Sequence, residues 1–165
     1  MRSYTLKPLK IASYEGFWYL IALQGENDRL KKYYLKNLSA IEIQPETFAF
    51  DTALDSRLDE ALSIWFEQGV DPYRVHLHLS SEVVKYFRRK PLSRTQRTEE
   101  VRQDGSMVVS VAITHDMEII PIVKYWLPHI RVIEPKRIAE QIEKDLRGYL
   151  EAGDLRQVAG NIESL

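Results

Sequence analysis

Cysteine is absent from all 165 residues of the sequence. Without cysteine the chain can have no disulfide framework, no thiolate zinc site and no cysteine nucleophile. The sequence also lacks any apolar run near the roughly 20 residues that a membrane-spanning helix needs. Residues 1–7 lack the apolar stretch of a signal peptide. These absences predict a cytoplasmic protein that does not bind or cross a membrane.

An excess of one charge sign is also missing, because 23 basic residues face 24 acidic ones and the net charge is −1. Bulk electrostatics therefore do not favour a polyanion as partner. The basic residues are nevertheless clustered, once in residues 29–36 and again in residues 88–97. Such clusters are compatible with a local anionic ligand, although solvated surface faces are the commoner explanation.

Catalytic motifs are missing at the level of local sequence. There is no glycine-rich phosphate loop, no His-Glu-x-x-His motif and no local Ser-His-Asp pattern, although a triad can assemble from distant segments. His76 and His78 share a strand face at a spacing that metals use, but no third ligand lies nearby in sequence. The acids Glu99, Glu100 and Asp104 are expected on the surface of a hairpin. We therefore predict no enzyme activity, no metal site and no cofactor.

Short β-rich segments are present in residues 1–48. Four strands are predicted there, at residues 4–11, 17–23, 30–38 and 40–43. Turns are predicted at residues 14–16 and 25–28. Strands this short cannot form an extended sheet with two buried faces, whereas a small barrel or strongly curled sheet closes its own edges. A small barrel is therefore the favoured shape.

A helical period replaces the strand pattern in residues 51–67. Leu54, Leu58, Leu62 and Trp65 recur at helical spacing, and Gly69 follows as a stop signal. We predict a helix that bridges two halves of the chain and assign residues 49–69 to this bridge.

Strands alternate with helices in residues 70–150. Strands are expected at residues 75–79, 95–103, 107–114 and 130–133. Asp104-Gly105 is a strong signal for a two-residue hairpin turn. Helices are expected after Ser80 or Ser81, over residues 117–126, and from Pro135 onward. This order predicts an open α/β sandwich of ferredoxin-like kind. The tail, residues 151–165, is weakly patterned and is predicted to be weakly structured.

The run Gly16-Phe17-Trp18-Tyr19-Leu20-Ile21-Ala22 resembles the WYL domain, which is named for its Trp-Tyr-Leu tripeptide. Pro8-Leu9 resembles the lead-in of that family. Residues 31–38, Lys-Lys-Tyr-Tyr-Leu-Lys-Asn-Leu, resemble its next strand, usually written R-x-F-x-L-D-R-I. Phe48 resembles the aromatic residue that closes the domain.

The second half resembles the extension that commonly follows WYL domains. Its landmarks match in order at residues 75–82, Gln96, residues 104–106 and residues 126–135, so the resemblance covers residues 4–150. It implies an α+β chain from a bacterial transcriptional regulator: a small Sm-like (SH3-like) β-barrel followed by a ferredoxin-like α/β C-terminal extension. The family's helix-turn-helix does not precede Tyr4. The expectation is therefore a WYL domain that lacks its first strand, with duplex DNA read only through a missing N-terminal domain.

The resemblance also implies a ligand site on the strand that carries the family's two arginines. Those positions hold Lys31, which keeps charge but loses the bidentate fork, and Asn37, which loses charge. Arg29 shares their strand parity and offers a compensating charge. The predicted ligand-binding residues are Tyr19, Arg29, Lys31, Tyr33 and Asn37. Cations and aromatic rings suit a nucleotide or single-stranded nucleic acid, although an edge strand protected by lysines would look the same.

Trp18 and Leu20 share the strand face opposite to Tyr19, and we predict that both are buried inside the barrel.

The function implied by the resemblance is a ligand-sensing and dimerisation module of a regulator. An assembly-only dimerisation module without a ligand is the alternative, and an enzyme of unknown type is a third hypothesis. A homodimer is expected because regulators of this type bind paired half-sites. The predicted helix over residues 117–126 also has more apolar surface than a thin α/β layer needs, at Ile119, Ile122, Val123 and Trp126.

Overall fold

The computed structural model describes residues 3–49 and 51–152, which form two antiparallel sheets with separate hydrophobic cores. The first sheet has the order β1-β2-β3, and its strands are β1 (Leu6–Tyr14), β2 (Phe17–Gln24) and β3 (Arg29–Tyr34). A short 3₁₀ turn, Leu35–Asn37, follows β3, and helix α1 spans Thr52–Glu60. The predicted small β-rich first part is confirmed.

The turn between β1 and β2 lies where the sequence predicts it. Tyr14 pairs with Phe17, and the two residues between them have positive φ angles, +50° at Glu15 and +81° at Gly16. Two successive positive φ values are what a tight hairpin of this twist requires, and glycine adopts them without steric cost.

Helix α1 packs on one face of the first sheet. Asp51 caps the helix by accepting hydrogen bonds from the backbone N–H groups of Ala53 and Leu54. The small core beneath consists of Ile21, Leu23, Leu54, Leu58 and Phe66. We call the sheet face that contributes to this core the inner face.

Three boundaries predicted for the first half are wrong. The strand expected over residues 30–38 ends at Tyr34, and residues 40–43 form no strand. Ile41 and Ile43 are exposed, at 76% and 97%, because no neighbouring strand covers them. The helix expected over residues 51–67 ends at Glu60, since Ala61 is extended and the N–H of Leu62 donates to the Glu118 carboxylate. The described strands of the first half form one sheet in the order β1-β2-β3, and no pairing of β1 with β3 closes it within the described residues. The closed barrel therefore stays a prediction.

The second half has seven elements in the order βαββαβα. They are β4 (Tyr73–Leu79), α2 (Ser81–Arg89), β5 (Arg97–Val101), β6 (Met107–Ile113), α3 (Ile120–Tyr125), β7 (Ile130–Glu134) and α4 (Lys136–Glu151). The sheet order is β5-β6-β4-β7, and every neighbouring pair is antiparallel. This is the split β-α-β arrangement of ferredoxin-like folds, so the predicted fold of the second half is confirmed.

One face of the second sheet carries the larger core. Val75, Leu77 and Leu79 have no exposed surface, because the alternate residues of β4 pack together with residues of α2, α3 and α4 in one cluster. Ile119 and Val123 also belong to this core, at 0% and 1% exposure. Ile122 and Trp126 pack against the same core and are partly buried, so the helix uses much of its apolar surface within the fold. Dimerisation through it stays a prediction.

Within the described ranges, no helix combines the length and the apolar composition that crossing a membrane requires. The predicted tail falls mostly on residues 153–165, which lie outside the described residues.

Candidate ligand-binding face

The face of the first sheet that points away from α1 is called the outer face. Strand pairing aligns its side chains in rows across the sheet, since residues directly opposite each other share a face. Leu20 lies opposite both Ile11 and Tyr33, and Ala22 lies opposite both Pro8 and Lys31. The register thus defines the outer face by the following residues: Leu6, Pro8, Ile11, Ser13, Trp18, Leu20, Ala22, Gln24, Arg29, Lys31 and Tyr33.

Aromatic rings are prominent on this face. Trp18 is 56% exposed, and the ring of Tyr33 lies 6.2 Å from that of Tyr4. Desolvation by burial, followed by the nearby Tyr4 hydroxyl, raises the pKa of Tyr33 above its usual value. The prediction that Trp18 is buried is wrong. Ile21 and Leu23 are the residues of β2 that pack against α1, and Trp18 points to the opposite face of the strand. An exposed tryptophan on a sheet surface is an available stacking platform.

Two cations lie on β3, the strand of Tyr33, and share the outer face with it. Arg29 and Lys31 are both exposed, and both alternate with inward residues of β3. Among the described residues, no ion pair involves either of them. Their charge is therefore available to an anionic group on the outer face.

The other two predicted site residues do not join this group. Tyr19 pairs with Ala12 and Tyr34 on the inner face, and its ring lies 5.8 Å from that of Tyr34. Asn37 is exposed at the end of the 3₁₀ turn, beyond the last residue of β3. Arg29, Lys31 and Tyr33 thus come together, while the structure adds Trp18 and separates Tyr19 and Asn37.

Beneath the face, Lys32 points to the inner side. Its Nζ donates a 2.6 Å hydrogen bond to the carbonyl oxygen of Phe66, and the side chain is partly buried. Burial lowers the pKa of Lys32, although the nearby carboxylates of Glu67 and Glu118 oppose that shift. Sequence reasoning missed Lys32. Alternation along β3 shows that Lys32 and Lys31 point to opposite faces, but it does not show which of the two faces packs on α1.

Glu118 is a buried carboxylate at the junction of the two halves, at 1% exposure. Its Oε1 accepts hydrogen bonds from the N–H of Thr114, the hydroxyl of Thr114 and the N–H of His115, at 2.8, 2.9 and 3.2 Å. Its Oε2 accepts from the N–H of Leu62 at 3.0 Å. These donors compensate the cost of burying the carboxylate. The sequence feature that could have indicated a buried carboxylate is the position of Glu118 within the apolar run of residues 117–123.

His115 caps the short 3₁₀ helix Asp116–Glu118. Its Nδ1 accepts a 3.0 Å hydrogen bond from the N–H of Met117, and the Glu118 side chain accepts from the N–H of His115. These reciprocal bonds form a capping box.

The histidines of β4, His76 and His78, lie on the face of the second sheet that is opposite its core. His76 Nδ1 is 4.0 Å from Glu134 Oε2, while neighbouring Arg74 is held by the Ser110 hydroxyl at 2.7 Å. Across residues 3–49 and 51–152, no group of three or more His, Cys, Asp or Glu side chains is arranged to hold a metal ion.

Ser80, Glu82 and His129 also come together, because the end of β4 pairs with the start of β7 and the N–H of Ser80 donates to the carbonyl of His129. The Ser80 hydroxyl and a Glu82 carboxylate oxygen both approach Nδ1 of His129, at 3.2 and 2.9 Å. A serine–histidine–acid relay needs the serine and the acid on opposite ring nitrogens. This cluster therefore has the wrong geometry for that relay.

The WCX domain family matches residues 71–150, the segment that forms the ferredoxin-like sheet and its helices. We refer to residues 71–150 as the WCX domain, after the family that they match. The WCX domain is related to WYL domains and occurs in PafBC-like regulators. The family resemblance seen in the sequence is thereby confirmed, on the extension half of the chain.

Comparison with solved structures adds a similarity to the proteasome accessory factor B/C (PafBC) of Arthrobacter aurescens. The identity is 17% and the TM-score is 0.36, over 83% of this chain and 21% of that one. This chain thus spans about a fifth of the length of that regulator, and a likeness at this level leaves its function open. No curated protein matches the sequence.

Proposed function

We propose that this chain is the ligand-sensing and dimerisation module of a cytoplasmic bacterial transcriptional regulator. Its outer face binds a nucleotide or a single-stranded nucleic-acid effector. One observation supports this proposal above the others. Trp18, Tyr33, Arg29 and Lys31 share the outer face, and neither cation has an ion-pair partner among the described residues.

The chemistry of the face matches such an effector. Aromatic side chains stack on bases, and each stacked base contributes about 1–3 kcal/mol. Arg29 can bind phosphate with a bidentate fork, whereas Lys31 acts as a point charge. Asn37, at the position of a family arginine, is uncharged and lies off the strand. We therefore expect fewer phosphate contacts than two arginines would provide, and correspondingly weaker binding.

The WCX domain supports the regulatory part of the proposal, since the relatives that carry this domain are regulators. Duplex DNA would then be read by a helix-turn-helix domain of the same regulator, and this chain would report the presence of the effector. Such a module acts without catalysis, by binding one conformation of the regulator better than another.

Fluorescence anisotropy with a labelled oligothymidylate of about eight nucleotides, within the usual range of site sizes, tests the ligand site. Lys31→Ala should weaken binding and reduce the dependence of affinity on salt, because one fewer phosphate is neutralised. Lys36→Ala is the matched control. Lys36 is also exposed, but it lies in the 3₁₀ turn beyond the outer face.

If the wild-type chain binds and Lys31→Ala and Lys36→Ala change its affinity equally, the outer face is not the binding site. A wild-type chain that binds neither the oligothymidylate nor free nucleotides would leave the assembly-only module as the better description.

Homodimerisation is the second part of the proposal. Helix α4 carries a stripe of apolar residues whose first members, Ile138 and Ile142, are buried, whereas Leu146 and Tyr149 in its last two turns are exposed. Apolar side chains left exposed in this way are candidates for an interface with a second copy. A monomer by light scattering at tens of micromolar, an order of magnitude suited to weak dimers, would contradict this part.

A further inference from the structure

A single peptide group, the one between Phe66 and Glu67, is held from both halves of the molecule. Its carbonyl oxygen accepts the 2.6 Å hydrogen bond from Lys32 of β3. Its N–H donates a 2.8 Å hydrogen bond to Oγ1 of Thr114, at the end of β6. We call this group the junction peptide. It lies directly between the first sheet and the WCX domain.

The carbonyl side of the junction peptide is hydrogen-bonded to β3, the strand that carries Lys31 and Tyr33 on the outer face. Lys32 lies between Lys31 and Tyr33 in sequence, so a shift or twist of β3 that moves those two side chains also moves Lys32. A second contact holds the same segment, because the N–H of Leu30 donates to Oε1 of Gln68 at 2.8 Å. Residues 66–68 are thus attached to β3 at two points.

The side that faces the WCX domain is rigidly built. Thr114 is 5% exposed, and its hydroxyl donates to the buried carboxylate of Glu118 at 2.9 Å. Glu118 also accepts from the N–H of Leu62, so the chain just before the junction peptide is fixed to the same carboxylate. Hydrogen bonds linked in this way polarise and strengthen one another in a low-dielectric site.

We propose that the junction peptide transmits effector occupancy from the outer face of the first sheet to the WCX domain, through Lys32 on one side and Thr114 on the other. The proposal rests on the proposed function for the identity of the effector site. A peptide group is planar and stiff, so a displacement of its carbonyl is also a displacement of its N–H. Lys32 and Thr114 are coupling residues and do not touch the effector.

The first experiment needs no ligand. Hydrogen exchange of the full chain, followed residue by residue by NMR, reports how often the Glu67 amide leaves Thr114. Lys32→Met removes the donor to Phe66, and the Glu67 amide should exchange at least about fivefold faster, a typical size for coupling between sites. Lys32→Arg retains a donor and should restore the slow exchange, which also covers the case in which Lys32→Met folds poorly.

The second experiment uses the labelled oligothymidylate. Thr114→Val keeps the shape of the side chain but removes its hydroxyl, and it should change oligothymidylate affinity by about fivefold although Thr114 lies outside the outer face. Thr98→Val is the matched control, because Thr98 is a threonine of the same domain on β5, away from the junction. Combining Lys32→Met with Thr114→Val should change affinity no more than either alone, since both act through one peptide group.

The two proposals fail in distinguishable ways. If the wild-type chain binds neither the oligothymidylate nor free nucleotides, the proposed function fails, and the exchange rate of the Glu67 amide alone tests the coupling. An exchange rate that Lys32→Met and Lys32→Arg leave as in the wild type overturns the coupling role. The coupling role is also overturned if the wild-type chain binds the oligothymidylate and neither Thr114→Val nor Thr98→Val changes its affinity.

Discussion

The two halves of this molecule differ most in how much of each sheet is covered. Among the described residues, the core cluster of the WCX domain contains sixteen buried hydrophobic residues, whereas the core cluster of the first half contains five. The same sheet that contributes to the smaller core exposes Trp18 and Ile11 on its outer face. The better-packed half is suited to hold a fixed shape. The less-packed half retains open surface and lower local stability, which binding regions commonly need.

Polar groups show the same contrast. In the WCX domain the buried carboxylate of Glu118 has a hydrogen-bond donor on each oxygen, and Arg74 is held by Ser110 and Thr95. On the outer face of the first sheet, Arg29 and Lys31 have no ion-pair partner among the described residues. Charges already engaged within the fold stabilise it, whereas these two remain available to a ligand.

The largest expected effect contrasts the two cores directly. Leu77→Ala removes a side chain with no exposed surface from the centre of β4, and Leu23→Ala removes a side chain that is 7% exposed from β2. Buried Leu→Ala changes cost about 2–5 kcal/mol, and we expect Leu77→Ala near the upper end and Leu23→Ala near the lower end. Urea unfolding followed by circular dichroism measures both. Equal losses would contradict the difference in packing between the halves.

A smaller effect concerns the outer face. Trp18→Ala should weaken oligothymidylate binding by about 1–3 kcal/mol for one stacked base, with a small change in stability because Trp18 is largely exposed. Trp65→Ala is the matched control, since Trp65 is 42% exposed but stacks on His115 at the junction of the halves. Anisotropy measures the affinities and urea unfolding the stabilities. A larger loss of affinity in Trp65→Ala would move the site away from the outer face.

The smallest effect tests the division between inner and outer faces. Tyr19→Phe removes a hydroxyl on the inner face, so oligothymidylate affinity should change by less than about twofold, within the spread of substitutions that touch no ligand. Anisotropy under the same conditions checks this. A marked weakening would return Tyr19 to the site and would mean that the ligand reaches the inner face.

Much of the WCX domain could be predicted from its sequence. Asp104-Gly105 correctly locates the hairpin between β5 and β6, although the loop between the paired Arg102 and Ser106 has three residues rather than the predicted two. The alternation of Val75, Leu77 and Leu79 with His76 and His78 correctly separates the buried face of β4 from the open one. Such patterns are informative because a sheet covered on one side buries every second residue. The first half was less predictable. Its β2 strand is apolar on both faces, so periodicity alone does not say which parity lies inward.

The sequence by itself determined the order of the elements in residues 70–150, the ferredoxin-like arrangement that they form and the resemblance of this extension to a known family, because each depends on local patterns and on motifs in order. Only the tertiary structure decided which face of β2 packs on α1. That choice places Trp18 on the same face as Arg29, Lys31 and Tyr33 and sends Tyr19 and Lys32 to the other side. It also decided where α1 ends, since Glu118, 56 residues beyond Leu62, accepts the N–H of Leu62. Contacts between residues so far apart in sequence leave no periodic signal, because they depend on how the packed elements meet.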